Sequence, residues 1–162
     1  FQPRINMQDA ELLPQILAKA ESVLVSGVRA YYYVQRRGSF INSTDVGVRE
    51  RYFASVVEVY SRLSEFRGKV DEPTMRTGLD AKLAAVEKIA FLSYVYDAIG
   101  PADRARRLAE LRAQKLYPFG PLSGITFVQR LARHAINLFP LFFPSAFAWG
   151  RSCLRRVSGA LN

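Results

Sequence analysis

The residues best suited to chemistry stand near the start of the chain, in the acidic cluster Gln8-Asp9-Ala10-Glu11. Apolar residues recur at helical spacing behind it, so the cluster opens a predicted helix; they are Leu12, Leu13, Ile16, Leu17 and Ala20. Free N–H groups and the helix dipole keep a first-turn carboxylate ionised. Such a group acts as a general base when a hydroxyl lies within about 2.6–3.2 Å of it. Asp9 is the candidate base, and the alternative is an ordinary capping residue.

A tyrosine-rich strand, Tyr31-Tyr32-Tyr33-Val34, is predicted to lead into the turn Gln35-Arg36-Arg37-Gly38-Ser39. Arg36 and Arg37 carry planar guanidinium groups that match the geometry of phosphate. Gln35 and Ser39 add neutral polar groups beside them, so all four are candidate substrate- or phosphate-binding residues. The alternative for each arginine is a solvated turn, and most of the tyrosine surface is expected to pack within the fold.

A short strand is also predicted over Glu21 to Gly27, between the helix and the tyrosines. The order of Gln8-Asp9, Ser22-Val23-Leu24-Val25 and Tyr31 to Ser39 resembles the closing segment of the catalytic domain in family 2 glycosyltransferases, which have the GT-A fold. The resemblance covers residues 1 to about 44, roughly a quarter of the chain. The family usually has Glu-Asp where this chain has Gln8-Asp9, so the carboxylate of Asp9 is retained while its immediate surroundings differ.

The resemblance implies inverting transfer of a sugar from a nucleotide-sugar donor to an acceptor hydroxyl, with Asp9 as the general base. It also implies a divalent metal, Mg or Mn, whose ligands are not in this chain. The sequence has no Asp-x-Asp pair, no glycine-rich phosphate loop and no nucleotide-binding α/β half. We therefore expect the donor and metal sites to lie before Phe1, and we expect this piece alone to be inactive.

The positive charge is concentrated at the far end of the chain. Residues 1–44 carry five basic and three acidic residues, residues 45–100 carry eight and nine, and residues 101–162 carry ten and two. The last segment thus holds +8 of the total formal charge of +9. An anionic partner is indicated for that end.

The middle of the chain is predicted to be helical. Apolar spacing favours one helix from Val46 to Phe66, ended by Gly68, and a second from Pro73 to Ile99, ended by Gly100-Pro101. We expect these two helices to form an antiparallel hairpin. A third helix, Ala102 to about Leu116, is cationic.

The final segment combines arginines with aromatic residues. Beyond the rigid break Tyr117-Pro118-Phe119-Gly120-Pro121, one apolar helical face is predicted, made of Ile125, Val128, Leu131, Ala132, Ala135, Ile136 and Phe139. An uncharged run from Ala135 to Trp149 follows, interrupted by Pro140 and Pro144, and it is too short and broken to span a bilayer, which takes roughly 20 apolar residues.

This pattern is typical of a segment lying in the membrane interface, with aromatics at the acyl boundary and arginines at anionic headgroups. The expected interface residues are Arg130, Arg133, Phe139, Phe142, Phe143, Phe147, Trp149, Arg151, Arg155 and Arg156. The alternative is that these phenylalanines complete the core or a subunit interface. His134 is expected to pack or to face headgroups rather than to bind a metal.

The sequence therefore predicts an α+β chain that is mostly α-helical. Residues 1–44 are the end of a GT-A domain with a helix and two short strands, residues 45–116 a helical accessory region, and residues 117–162 a basic tail at the membrane interface. The leading interpretation is part of an inverting glycosyltransferase for bacterial cell-surface polysaccharide, peripheral on the cytoplasmic face of the membrane. Its expected partners are a nucleotide-sugar, a glycan or lipid-linked acceptor and an anionic membrane.

Two other interpretations stay open. One is a non-enzymatic helical module that binds a membrane surface or another protein, with Asp9 as a cap. The other is a helical nucleic-acid-binding protein, favoured by a pI near 10.1 but lacking a recognition motif. The single cysteine, Cys153, excludes an intramolecular disulfide, and one histidine cannot build a metal site from imidazoles.

Overall fold

The computed structural model describes residues 7–24, 26–28, 43–97 and 99–144. Five helices follow one another in these ranges: α1 (Gln8–Leu17), α2 (Val46–Gly68), α3 (Pro73–Tyr96), α4 (Pro101–Ala113) and α5 (Phe127–Leu138). The described residues contain no strand. The mostly helical character predicted from the sequence is confirmed, and the helices begin and end within a few residues of the positions that apolar spacing predicts.

The chain divides into two compact units, Phe1–Asp80 and Ala81–Asn162. In the first unit, α2 begins at the N-cap Asp45, whose Oδ1 accepts the backbone N–H of Val48 at 2.8 Å. The apolar stripe of α2 is buried, and it comprises Tyr52, Phe53, Val56, Val57, Val59 and Leu63. The spacing that predicted the helix therefore also identifies its buried face.

The connection from α2 to α3 is held by charged side chains. Arg67 donates two hydrogen bonds to the carboxylate of Asp80, at 2.9 and 3.1 Å. The carboxylate of Glu72 accepts the backbone N–H groups of Thr74 and Met75 at the start of α3, and these bonds hold the pKa of Glu72 below its usual value. Glu72 thus satisfies donors that the first turn of a helix leaves without intrahelical partners.

The core of the second unit forms around the break predicted at Tyr117 to Pro121. The Phe119 ring lies 5.1 Å from Phe91, 6.2 Å from Tyr94 and 6.0 Å from Tyr117, centroid to centroid. Asn137 of α5 accepts the Phe119 N–H at 3.0 Å and donates to the Phe119 carbonyl at 2.9 Å. This segment between α4 and α5 is therefore a packing centre that joins α3 to α5.

The predicted strands fall on residues that the structure describes only in part. Residues 22–24 and 26–28 have no regular secondary structure, while Val25 and the whole tyrosine strand and turn, Tyr31 to Ser39, lie outside the described residues. The two strands and the three-part domain division stay predictions.

Candidate functional site

Asp9 lies in the first turn of α1 and is exposed. The N-cap of this helix is Met7, in a left-handed conformation with φ 72° and without a side-chain capping hydrogen bond. Asp9 is therefore a first-turn carboxylate and not the N-cap. The N-cap position belongs to Met7, and an exposed first-turn carboxylate is also typical of a purely structural residue.

An ion pair fixes α1 on α2 two residues beyond Asp9. Glu11 Oε1 accepts from Arg62 Nη1 at 3.1 Å, and the same guanidinium donates through Nε to Glu58 Oε1 at 2.7 Å. These bonds, first with Glu58 and then with Glu11, raise the pKa of Arg62. Ala10 is buried between the two acidic residues of this turn, so the turn is anchored on one side while Asp9 stays open to solvent. No local pattern indicates this pairing, because Glu11 and Arg62 are 51 residues apart.

The predicted phosphate-binding residues Gln35, Arg36, Arg37 and Ser39 lie outside the described residues. Their relation to Asp9 therefore stays a prediction.

A buried cationic cluster forms where α4 begins beside the end of α3. Arg107 Nη1 donates to Asp97 Oδ2 at 2.8 Å and to the Ser93 carbonyl at 3.2 Å. Arg104 donates to the main-chain carbonyls of Tyr94 and Asp97, at 2.5 and 3.2 Å. We refer to Asp97, Arg104 and Arg107 as the arginine cluster.

The arginine cluster explains how the C-terminus of α3 is satisfied. The last turn of α3 contains no basic residue of its own, yet the carbonyls of a last turn lack intrahelical partners and carry partial negative charge. Arg104 and Arg107 of α4 supply hydrogen-bond donors and a compensating positive charge to these carbonyls. Burial lowers the pKa of Arg104, and the nearby Tyr94 and Asp97 partly offset this effect. Two of the arginines that gave α4 its cationic sequence therefore stabilise the fold and do not face a partner.

The single apolar face predicted for α5 is corrected by the structure. Ala132 and Ile136 are buried, as is Ile125 before the helix, whereas Val128 and Leu131 are exposed. The exposed apolar surface of α5 also includes Phe127 and Leu138. The apolar residues of α5 therefore divide into a buried set, which packs within the unit, and an exposed set beside it.

The two arginines predicted to meet headgroups from α5 differ in their surroundings. Arg130 is exposed, whereas Arg133 is half-buried and donates to the Gly120 carbonyl at 2.5 Å. The Nη2 of Arg133 also lies 3.0 Å from Nε2 of the exposed His134. Arg133 thus holds the loop before α5, and Arg130 is the arginine on this helix that is open to solvent.

The aromatic residues after α5 are described as far as Pro144. Phe139 and Phe142 are exposed, and Phe143 is partly buried. The other predicted interface residues, Phe147, Trp149, Arg151, Arg155 and Arg156, lie outside the described residues.

No helix in the described ranges combines the length and apolar character that crossing a bilayer requires. In the same part of the chain, no group of three or more His, Cys, Asp or Glu side chains is placed to hold a metal ion. Comparison of the sequence and structure with known family models, curated proteins and solved structures finds no match.

Proposed function

We propose that this chain is the C-terminal part of an inverting family 2 glycosyltransferase of the GT-A fold. The parent protein transfers a sugar from a nucleotide-sugar donor to an acceptor hydroxyl, on a lipid-linked saccharide used for bacterial cell-surface polysaccharide. In this proposal residues 1–44 include two short strands after α1, and the donor and divalent-metal sites come from parts of the parent outside this sequence. The chain alone is inactive.

Asp9 acts as the general base in this reaction. Its carboxylate takes the proton of the acceptor hydroxyl as that oxygen bonds to the anomeric carbon of the donor sugar. The bond from the anomeric carbon to the phosphate oxygen breaks, and the nucleoside diphosphate leaves with the electron pair. The attack comes from the face opposite the leaving group, which inverts the anomeric configuration.

The observation that carries the proposal is the placement of Asp9. Its carboxylate is exposed in the first turn of α1, and Glu11 in the same turn forms an ion pair with Arg62. A general base must be accessible to its substrate and yet fixed in position. The first requirement is met by the exposure of Asp9, and the second by the ion pair that holds α1.

The proposed roles of the turn residues follow from their chemistry. Arg36 and Arg37 bind the diphosphate of the leaving group or of the lipid carrier, and Gln35 and Ser39 add neutral hydrogen bonds. A lipid-linked acceptor places the parent at the cytoplasmic face of the membrane as a peripheral protein.

The test is Asp9→Asn in the intact parent, with sugar transfer measured by release of the nucleoside diphosphate. We expect kcat to fall by about 10²–10⁴ with a much smaller change in KM, because the amide cannot accept the proton. Glu21→Gln is the matched control, an exposed acidic residue of the same segment that we expect to leave kcat unchanged. Full activity of the Asp9→Asn enzyme would refute the catalytic assignment.

The second candidate function, a non-enzymatic helical module at a membrane surface, is favoured by the exposed apolar face of α5. The same experiment separates the two: an intact parent without any glycosyl transfer, in wild type and variant alike, leaves the module as the function.

A further inference from the structure

The exposed face of α5 is a continuous apolar strip on a well-anchored helix. At about 100° per residue, Phe127, Leu131 and Leu138 fall within an arc of about 40°. Phe127 is 71% exposed, Leu131 54% and Leu138 73%. The helix itself is fixed, with a capping box between Thr126 and Gln129 at its start. Large exposed apolar surfaces on a folded element indicate a binding surface.

The strip continues into the turn after α5, and this turn is tied to the core. Tyr94, which is fully buried, donates its hydroxyl to the Pro140 carbonyl at 2.8 Å. The Phe143 N–H donates to the Phe139 carbonyl at 3.1 Å. Phe139, Leu141 and Phe142 are nevertheless exposed, Phe142 by 75%. These three side chains are therefore exposed although the backbone of the turn is hydrogen-bonded to the core.

Charge identifies the kind of partner. Arg130 is exposed and lies next to Phe127 on one edge of the strip. From residue 111 to the end the sequence has seven basic residues and no Asp or Glu. A second copy of the chain would bring two cationic surfaces together. A nucleic acid would offer no extended apolar surface to cover the exposed phenylalanine and leucine side chains. An anionic bilayer interface offers both an apolar boundary and negative headgroups.

We propose that α5 and the turn to Phe142 lie in the plane of an anionic bilayer, with Phe127, Leu131, Leu138 and Phe142 in the acyl boundary and Arg130 at the headgroups. Ala132, Ile136 and Arg133 do not enter the membrane, because they hold α5 to its own unit. The presence of a lipid-linked acceptor at this surface rests on the proposed function. The membrane-binding surface does not, because it is argued from the exposed apolar strip and Arg130.

The test is vesicle flotation of the full 162-residue chain with phosphatidylcholine vesicles and with vesicles containing 30% phosphatidylglycerol, across a salt series. We expect binding to the anionic vesicles that weakens with salt. Leu131→Gln should reduce that binding about fivefold to tenfold. The matched control is Leu13→Gln, since Leu13 is also a helical leucine with 54% exposure, and it should bind like the wild type. Arg130→Gln should lose about fivefold on anionic vesicles.

Five outcomes would overturn the proposal: no flotation with anionic vesicles, equal losses for the two leucine variants, equal binding to neutral and anionic vesicles, binding to duplex DNA without binding to vesicles, or a dimer that Leu131→Gln dissociates in analytical ultracentrifugation. Asp9→Asn should leave vesicle binding unchanged. If the chain does not float with vesicles but the Asp9→Asn parent has the kinetic defect, the membrane surface is refuted and the transferase proposal stands. If the chain floats but the Asp9→Asn parent keeps full activity, the membrane surface stands and the catalytic assignment is refuted.

Discussion

Replacing Asp97 by asparagine tests whether the arginine cluster depends on its one carboxylate. Arg107 and Asp97 are almost free of solvent, with side-chain exposures of 0% and 2%. Arg104 is buried beside them and is bound through main-chain carbonyls. The cluster thus contains two cations and one anion, so loss of the anion and loss of one cation are expected to lower the free energy of unfolding by different amounts.

The magnitude follows from which charge is left behind. Removing one partner of a buried ion pair costs about 3–5 kcal/mol, because the other partner stays desolvated. Asp97→Asn leaves two buried guanidinium groups without that carboxylate. Arg107→Met leaves Asp97 close enough to Arg104 to raise the pKa of that arginine. We therefore expect the free energy of unfolding to fall by about 5 kcal/mol for Asp97→Asn and by about 3 kcal/mol for Arg107→Met.

Urea unfolding followed by circular dichroism at 222 nm measures these losses. The double variant should cost less than the sum of the single variants by about 2 kcal/mol or more, since the two residues interact directly. Arg106→Met is the control on the same helix, where ion pairs at 3.2 and 3.4 Å are half-exposed, and it should cost under about 1 kcal/mol. An unfolded Asp97→Asn protein beside a folded double variant agrees with this ranking. Additive losses, or a milder effect for Asp97→Asn than for Arg107→Met, would refute the reasoning.

Further predictions concern Tyr94 and the two glycines Gly124 and Gly78. Burial raises the pKa of Tyr94 from 10.0 to about 12. The unfolded chain therefore releases the tyrosine proton first, and the stability gained from the neutral buried tyrosine is complete below pH 10 and is lost as the pH rises towards 12. Each pH unit in that interval removes up to about 1.4 kcal/mol; Tyr94→Phe should flatten the alkaline fall in urea midpoints, and parallel curves for the two proteins would contradict the assignment. Gly124 has φ +61° and faces Lys88 Nζ, so Gly124→Ala should cost about 1 kcal/mol. Gly78→Ala, in α3 with open space around it, should instead stabilise by about 0.5–1 kcal/mol; thermal melts with the opposite order would show that backbone conformation does not decide these positions.

The positions of the helices could be predicted because their signals are local. The apolar spacing from Val46 onward, the glycine at Gly68 and the proline at Pro73 place α2 and the start of α3 as the structure has them. α3 ends at Tyr96 rather than at Ile99, and the arginines of α4 bind the carbonyls of its last turn. The helical assignment of Asp9 was also correct, and within α1 Asp9 is a first-turn residue while Met7 is the N-cap.

The candidate sites were predictable only in residue type. Arg130 and Arg133 are the same residue type on the same helix, yet Arg130 is exposed and Arg133 donates to the Gly120 carbonyl. The same holds for Val128 and Ala132, which are four residues apart on the predicted face, yet Val128 is exposed and Ala132 is buried. A helical pattern defines angles around an axis, and it does not state which arc meets the rest of the fold.

The sequence alone determined where the chain turns helical and where its positive charge accumulates, since periodicity, capping residues and charge counts are properties of neighbouring residues. Only the tertiary structure decided what the charges and apolar groups do. Arg104 and Arg107 bind the last turn of α3, Arg62 anchors the helix of Asp9, and Phe127 and Leu138 remain exposed. Burial depends on partners tens of residues away, so the same residue types become core, anchor or binding surface according to the packing of the helices.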